Sequence, residues 1–298
     1  MAERKWRGQL RADEPMAGHV SWRAGGRVAR AYFPVDLDDL ALFLQGLRHD
    51  EPLLFVGLGS NLLVRDGGFE GTVVFTRDAL GQLRQEADAS LYAEAGVPSP
   101  KLARYAANLG LSGAEFLAGI PGSLGGALAM NAGCHGGETW KFVRRVLMLD
   151  RHGARIERTP SDFSVGYRHA GLVSACDEWF AAAWLDFPEG DADEARARIR
   201  ALLEKRAASQ PLKLPNAGSV FRNPPGDHAA RLIEAAGLKG FSVGGARVSE
   251  MHSNFIVNPD SVATATEIEM LIEHIQASVQ QMFGVDLHRE VRIVGVRS

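Results

Sequence analysis

The run FLAGIPGSLGGALAMNAGCHGG at residues 116–137 carries no charged side chain, and seven of its 22 residues are glycine. A membrane helix of this length is mostly Leu, Ile and Val, whereas Gly119, Pro121, Gly122, Gly125 and Gly126 interrupt any helix here. Glycines at this density let backbone approach a neighbour closely and turn its N–H groups toward it. A second loop of the kind, VGLGSNLLVRDGGFEG at 56–71, follows the apolar run Leu53–Val56. Two glycine loops, each fed by an apolar segment, point to a chain that wraps a large anionic cofactor. A pair of tight turns is the alternative.

Bulk properties narrow the class. With 298 residues, two or three domains are expected. The 33 basic and 36 acidic residues give a net charge of −3, which offers nucleic acid no polycationic face. Cys134 and Cys176 are too few for a disulfide framework and lack metal-ligand spacing, so no metal site is expected. The N-terminus MAERKWRGQLRADEP has no apolar core, so a cytoplasmic protein without membrane attachment is expected.

Periodicity alternates between helix and strand. Val28–Phe33 reads as a strand ended by Pro34. Asp36 caps a helix whose Leu37, Leu40, Leu44 and Leu47 share a face. Leu53–Val56 and Thr72–Phe75 read as strands flanking the first glycine loop. Ser99-Pro100 opens a helix, with Ser99 as its cap, that stops at Gly110. Val143–Leu149 and Ala154–Arg158 read as a hairpin across Asp150–Gly153, and Trp179–Phe187 as a strand. A charged helix from Asp191 to about Arg206 links the halves. Thr266–Phe283 follows, with Ile268, Leu271, Ile272, Ile275, Val279 and Met282 as a core stripe, closed by Gly284. Val291–Val296 returns as a strand. The class is α+β, with boundaries near 80 and 205.

Neither loop reads GxGxxG, and no Walker A sequence occurs, so a dinucleotide would be held in another architecture. The ordered combination is more specific than either loop. Gly57-Leu58-Gly59-Ser60-Asn61 is followed by Ile120-Pro121-Gly122-Ser123 and Asn131-Ala132-Gly133. Downstream come Tyr167-Arg168-His169, Pro215-Asn216-Ala217-Gly218-Ser219, Phe221-Arg222-Asn223-Pro224 and Glu290-Val291-Arg292. In kind and order this resembles the UDP-N-acetylenolpyruvoylglucosamine reductase (MurB) family, from about Ser21-Trp22-Arg23 to the end.

The resemblance implies a vanillyl-alcohol-oxidase-type FAD-binding fold of two subdomains, 1–80 and 81–205, plus a C-terminal α+β substrate domain, 206–298. It implies non-covalent FAD, held by Gly57, Leu58, Gly59, Ser60, Asn61, Leu62, Ile120, Pro121, Gly122, Ser123, Gly125, Gly126, Asn131 and Gly133. Glycine loops supply N–H donors to a pyrophosphate without side-chain bulk. The implied reaction reduces an enolpyruvyl ether to a lactyl ether, with NADPH as hydride donor through FAD and a UDP-sugar as the small-molecule substrate. The reduction leaves negative charge on the carbon beside a carboxylate, and the site must stabilise it and deliver a proton.

By the same resemblance Arg168 offers its planar fork to that charge, Glu290 acts as a protonated hydrogen-bond donor, and Ser219 is the proton donor. Tyr167, Lys213, Asn223, Lys239 and His252 are the implied substrate contacts, Lys239 at the diphosphate and His252 where some members have Gln. Taken alone, an Arg after Tyr reads as a surface ion-pair residue, Gly-Ser as a turn, and Glu290 as a solvated strand end. The chain departs from the family at His135, where Tyr is usual, at Ala170 for Ser, and at Arg222 for Lys. Its short span after Tyr167 resembles the subtype without a Tyr-bearing lid. A monomer is expected. Two other readings compete: a non-catalytic flavin module, which has no need of Arg168, Ser219 and Glu290 together, and an oxidase of the same fold, which needs a base where Ser219 stands.

Overall fold

The computed structural model describes residues 6–174 and 176–298, so the first five residues of the polar N-terminus lie outside it. The chain divides into two compact units. Of the described residues, one comprises 6–11, 31–57, 71–174 and 176–205; the other comprises 12–30, 58–70 and 206–298. The class is α+β.

In the first unit, helix α1 (Leu37–Gln45) starts where expected: the Asp36 carboxylate accepts the Asp39 N–H at 2.9 Å. Leu37, Leu40 and Leu44 are buried, and the buried Asp39 carboxylate takes the Tyr32 hydroxyl at 2.7 Å and the Val35 N–H at 3.0 Å. Burial and the neighbouring Asp39 push the Tyr32 hydroxyl well above its ordinary pKa. Strand Leu53–Val56 pairs in parallel with Thr72–Phe75 and delivers the chain to Gly57. An antiparallel sheet follows, in the order Arg155–Arg158, Val143–Asp150, Glu178–Leu185, Leu91–Glu94, Leu83–Gln85. The Val143–Asp150 hairpin thus forms across the expected turn.

Helix α2 (Ser99–Asn108) corrects one expectation. Its N-cap is Pro98, and Ser99 sits inside the first turn, fully buried and making no side-chain cap. The Ser99 N–H donates to Gly122 O at 2.9 Å, and Pro98 bridges Ser123, so the second glycine loop has taken the capping position. Helix α3 (Leu124–Ala129) continues that loop. Helix α4 (Ala192–Ser209) begins at Asp191, whose carboxylate accepts the N–H groups of Asp193 and Glu194 at 2.9 Å each.

In the second unit, helix α5 (Ala229–Ala235) and a small sheet of Ser242–Val243, Ala246–Val248 and Ile256–Val257 pack with the long helix α6 (Ala265–Phe283). Thr264 and Glu267 form a reciprocal capping box at its start, and Gly284 ends it at φ +67°. Ile268, Leu271, Ile272, Ile275 and Val279 are buried as the stripe predicts, but Met282 is 58% exposed. The apolar cluster beneath the helix ends at Val279, so a periodic count overruns it by one turn. Glu269, also on the buried side, meets Arg65 through two bonds of 2.8 and 2.9 Å and Arg297 through a third. Those hydrogen bonds, Arg65's first, lower its carboxyl pKa to about 2. The fully buried Trp22 donates its ring N–H to Ile256 O at 2.8 Å. The expected final strand is shorter, Arg292–Val294, and pairs in parallel with Leu62–Val64, a buried strand that periodicity did not reveal.

Candidate functional site

In the second unit the segments that carry Ser219 and Glu290 pair through their backbones. Gly218 adopts φ +74° and donates its N–H to Asn216 Oδ1 at 3.0 Å, while Asn216 Nδ2 donates to Leu214 O at 2.7 Å. This small network folds the Pro-Asn-Ala-Gly approach to Ser219. Beyond Ser219, Val220 O accepts the Glu290 N–H at 2.7 Å, and Phe221 bridges Arg289 in antiparallel register. Ser219 and Glu290 therefore lie on two adjacent hydrogen-bonded segments, and both are half-buried.

Asn254 holds the Val220-Phe221 segment, and the sequence reading missed it. Its Oδ1 accepts the Phe221 N–H at 3.0 Å, its Nδ2 donates to Phe221 O at 2.8 Å, and its own carbonyl accepts the Val220 N–H at 2.9 Å. Buried to 4% exposure, it substitutes for a strand partner. An Asn amid the apolar Asn254-Phe255-Ile256-Val257 run was the available signal. Asn61, predicted to bind cofactor, donates its Nδ2 to Glu290 O at 3.1 Å. Gly59 has an internal reason to be glycine: at φ +61° its Cβ would lie 2.1 Å from His19 O. Leu62 is a buried strand residue, and Leu58 and Ser60 are half-buried.

The first unit joins the two glycine loops. A Cβ on Gly57 would fall 2.0 Å from Ser123 Oγ, so the loops pack backbone to side chain. At the start of α3, Leu124 N–H donates to Val97 O and Gly125 N–H to Ala95 O, each at 2.8 Å. Those two amides are spent on the fold, and a Cβ on Gly125 would meet Ala95 Cβ at 2.9 Å. Gly133 is likewise crowded by Gly137 O across a short hairpin. Gly126 differs, because its Cβ would meet no protein atom within 4 Å. Glycine inside a helix costs roughly 0.5–1 kcal/mol relative to alanine, and nothing in the protein asks for it here. Open space at a helical glycine fits close approach by a ligand. Ile120 is half-buried and Pro121 exposed, while Gly122 contributes its carbonyl to Ser99. Cys134 Sγ points to Phe116 O at 3.1 Å.

Arg168 stands at the tip of a hairpin, Phe163–Gly166 paired with His169–Leu172, whose two-residue turn is Tyr167-Arg168. Arg168 has φ +53°. Left-handed backbone costs a residue with a Cβ about 1–2 kcal/mol, and glycine or asparagine is the ordinary occupant. A long cationic side chain kept there indicates a use for it. Its guanidinium lies 5.4 Å from the ring centroid of the half-exposed Tyr167.

The remaining predicted substrate residues all lie in the second unit. Lys213 is exposed on the turn after α4. Asn223 Oδ1 accepts the first N–H of α5, from Ala229, at 3.1 Å. Lys239 is paired with Glu234 at 2.7 Å, and this hydrogen bond lowers the Glu234 carboxyl pKa. His252 Nδ1 accepts the Asn254 N–H at 3.3 Å, and its ring meets Phe255 edge-on at 4.7 Å. Burial, aided by the charge of Lys239, lowers the His252 pKa from 6.5.

A pH effect follows from that shift. Below pH 6.5 the unfolded chain binds the His252 proton more readily than the folded one, so this contribution to stability is complete above 6.5 and declines as pH falls toward the folded value. Denaturant unfolding at pH 5 and 7 is expected to show a smaller pH difference in His252→Gln than in the parent. An unchanged difference would refute the assignment. Glu269 acts separately, its contribution lost only as pH drops from 4.5 toward about 2.

Comparison with known proteins adds to this geometry. A family model described as FAD binding domain matches residues 28–158, and one described as UDP-N-acetylenolpyruvoylglucosamine reductase, C-terminal domain, matches 210–294. A protein of Thiobacillus denitrificans named UDP-N-acetylenolpyruvoylglucosamine reductase is 54% identical over 98% of this chain and 94% of its own. One of the same name from Alkalilimnicola ehrlichii is 57% identical over 97% and 95%. The crystal structure of UDP-N-acetylenolpyruvylglucosamine reductase (MurB) from Thermus caldophilus superposes with a TM-score of 0.81 at 30% identity, over 96% of this chain and 98% of that one.

Proposed function

This chain belongs to the UDP-N-acetylenolpyruvoylglucosamine reductase family, and on that premise we propose that it reduces UDP-N-acetylglucosamine enolpyruvate to UDP-N-acetylmuramate in peptidoglycan precursor synthesis. It is an FAD-containing oxidoreductase with NADPH as hydride donor. The observation that supports the reading is that the segments carrying Ser219 and Glu290 are neighbours: the Glu290 N–H donates to the carbonyl of Val220, the residue after Ser219. A binding module has no use for such a pair, and an alcohol oxidase needs a base where this chain has a serine.

The open space at Gly126 and the contact of Gly57 with Ser123 suit a cofactor bound non-covalently along these loops. When bound, FAD would pass on to the substrate the hydride it has taken from NADPH. The chain's own residues manage charge and proton. As the vinyl group is reduced, negative charge grows on the carbon beside the carboxylate, and the Arg168 guanidinium offers it two parallel donors. Glu290, in its protonated form, adds a hydrogen bond. Ser219 gives its hydroxyl proton to that carbon, completing the lactyl ether, and regains a proton from solvent before the next turnover. Tyr167, Lys213, Asn223, Lys239 and His252 hold the UDP-sugar, Lys239 by exchanging Glu234 for a phosphate oxygen. By ligand, residues 1–80 and 81–205 form the FAD-binding parts and 206–298 the substrate part. We take the enzyme to act in the cytoplasm, as a monomer, without nucleic acid; among the described residues no helix is long and apolar enough to cross a membrane.

The test is anaerobic. NADPH should bleach the yellow protein, and UDP-N-acetylglucosamine enolpyruvate should restore the colour, with steady NADPH consumption only when that substrate is present. Bleaching without restoration would leave a flavin reductase of other specificity. No response to NADPH would favour the oxidase or the binding module.

A further inference from the structure

Asn131, just beyond α3, is 3% exposed and adopts φ +43°. The reading of its motif places it at the cofactor, yet its carboxamide is used within the protein in both directions. Nδ2 donates to Gly166 O at 3.1 Å and, less closely, to Glu138 Oε2 at 3.4 Å, and Oδ1 accepts the Trp140 N–H at 3.1 Å. Trp140 in turn donates its ring N–H to Leu128 O at 2.8 Å, so the clamp rests on α3 itself. Gly166 is the last strand residue before Tyr167-Arg168, and its carbonyl belongs to the peptide that enters Tyr167.

We infer that Asn131 is a positioning residue that fixes the turn from which Arg168 acts. Holding one carbonyl fixes the plane of its peptide, which leaves only the rotations at Tyr167 between the clamp and Arg168. The turn needs such help. Two-residue hairpin loops that match strand twist have φ above zero at their first central residue, whereas here, of Tyr167 and Arg168, only Arg168 is in the left-handed region. A strained turn persists when its surroundings over-determine it. Asparagine suits the clamp because it tolerates left-handed backbone and carries a donor and an acceptor on one short planar group. The inference rests on the role proposed for Arg168.

A double-mutant cycle separates the two ideas. Asn131→Asp keeps the acceptor for Trp140 and the tolerance of positive φ, and removes the donor to Gly166 and to Glu138; the cycle is therefore run in a Glu138→Gln background, which takes away the like charge the aspartate would meet. FAD occupancy and anaerobic bleaching by NADPH should stay within about twofold of the parent, while kcat falls about 10²-fold, the scale expected for an active group misplaced by about 1 Å, with KM little changed. In an Arg168→Ala background the same substitution should cost no more than about twofold, since residues acting as a unit are not additive. Equal losses in both backgrounds would overturn the positioning role and leave Arg168 standing. A fully active Arg168→Ala would overturn the premise instead. Loss of FAD from Asn131→Asp would return the residue to the cofactor site. Asn131→Gly, which also accepts φ above zero and abolishes the carboxamide's hydrogen bonds, repeats the cycle if the aspartate variant fails to fold. If neither variant folds, the residue is structural and the inference falls.

Discussion

Ser219→Ala should bind FAD normally, be bleached by NADPH at close to the parent rate, and then recover its colour at least roughly 10²–10⁴ times more slowly on adding UDP-N-acetylglucosamine enolpyruvate, the range typical of a lost general acid. The scaffold should survive, because the segment is held by backbone bonds of Val220 to Asn254 and Glu290 and by the Asn254 carboxamide on Phe221. Ser219→Cys should retain more activity than alanine, since a thiol still carries a proton to give. Stopped-flow absorbance follows the two phases separately. If bleaching were lost and recovery kept, Ser219 would belong to the NADPH step, and Glu290, its neighbour across Val220, would be the next candidate for the acid.

Gly126→Val and Gly59→Val should fail in opposite ways. At Gly126 a side chain has room in the protein, so Gly126→Ala should raise the stability of the cofactor-free fold by about 0.5–1 kcal/mol, and Gly126→Val should leave a folded but colourless protein. At Gly59 the added Cβ collides with His19 O at 2.1 Å on a backbone of φ +61°. Strain and overpacking should each cost about 1–3 kcal/mol there, and the fold itself should weaken. Denaturant melts with and without added FAD, together with flavin absorbance, distinguish the two. Full FAD occupancy in Gly126→Val would show that no ligand approaches that helix.

Local chemistry made much of this legible in advance. Asp36 before an apolar helical face, Gly284 after the α6 stripe and the Asp150–Gly153 turn are each decided by a few adjacent residues, and each forms where expected. The Ser99 cap failed because the helix starts one residue earlier, after Pro98, where the Gly122 carbonyl, more than twenty residues on, takes the first N–H. Met282 failed because a periodic stripe does not say where the facing cluster stops. The short strand Leu62–Val64 was hidden because its partner is the distant Arg292–Val294.

The order and identity of the motifs, Gly57-Leu58-Gly59-Ser60-Asn61, Tyr167-Arg168, Gly218-Ser219 and Glu290, determined the family and the kind of chemistry, because residue type and succession along the chain carry that information without coordinates. What each glycine and asparagine is for was decided only by tertiary structure. Gly59 and Gly126 read alike, yet one is crowded by His19 and the other faces open space. Asn61 and Asn131 read as cofactor contacts and Asn254 went unread, and folding turns each carboxamide onto a distant backbone: Glu290 in one case, Gly166 and Trp140 in another, Phe221 in the third. A short-range pattern reports conformational preference. A buried amide's partner depends on which remote segment the core brings within about 3 Å, and that is a property of the packed whole.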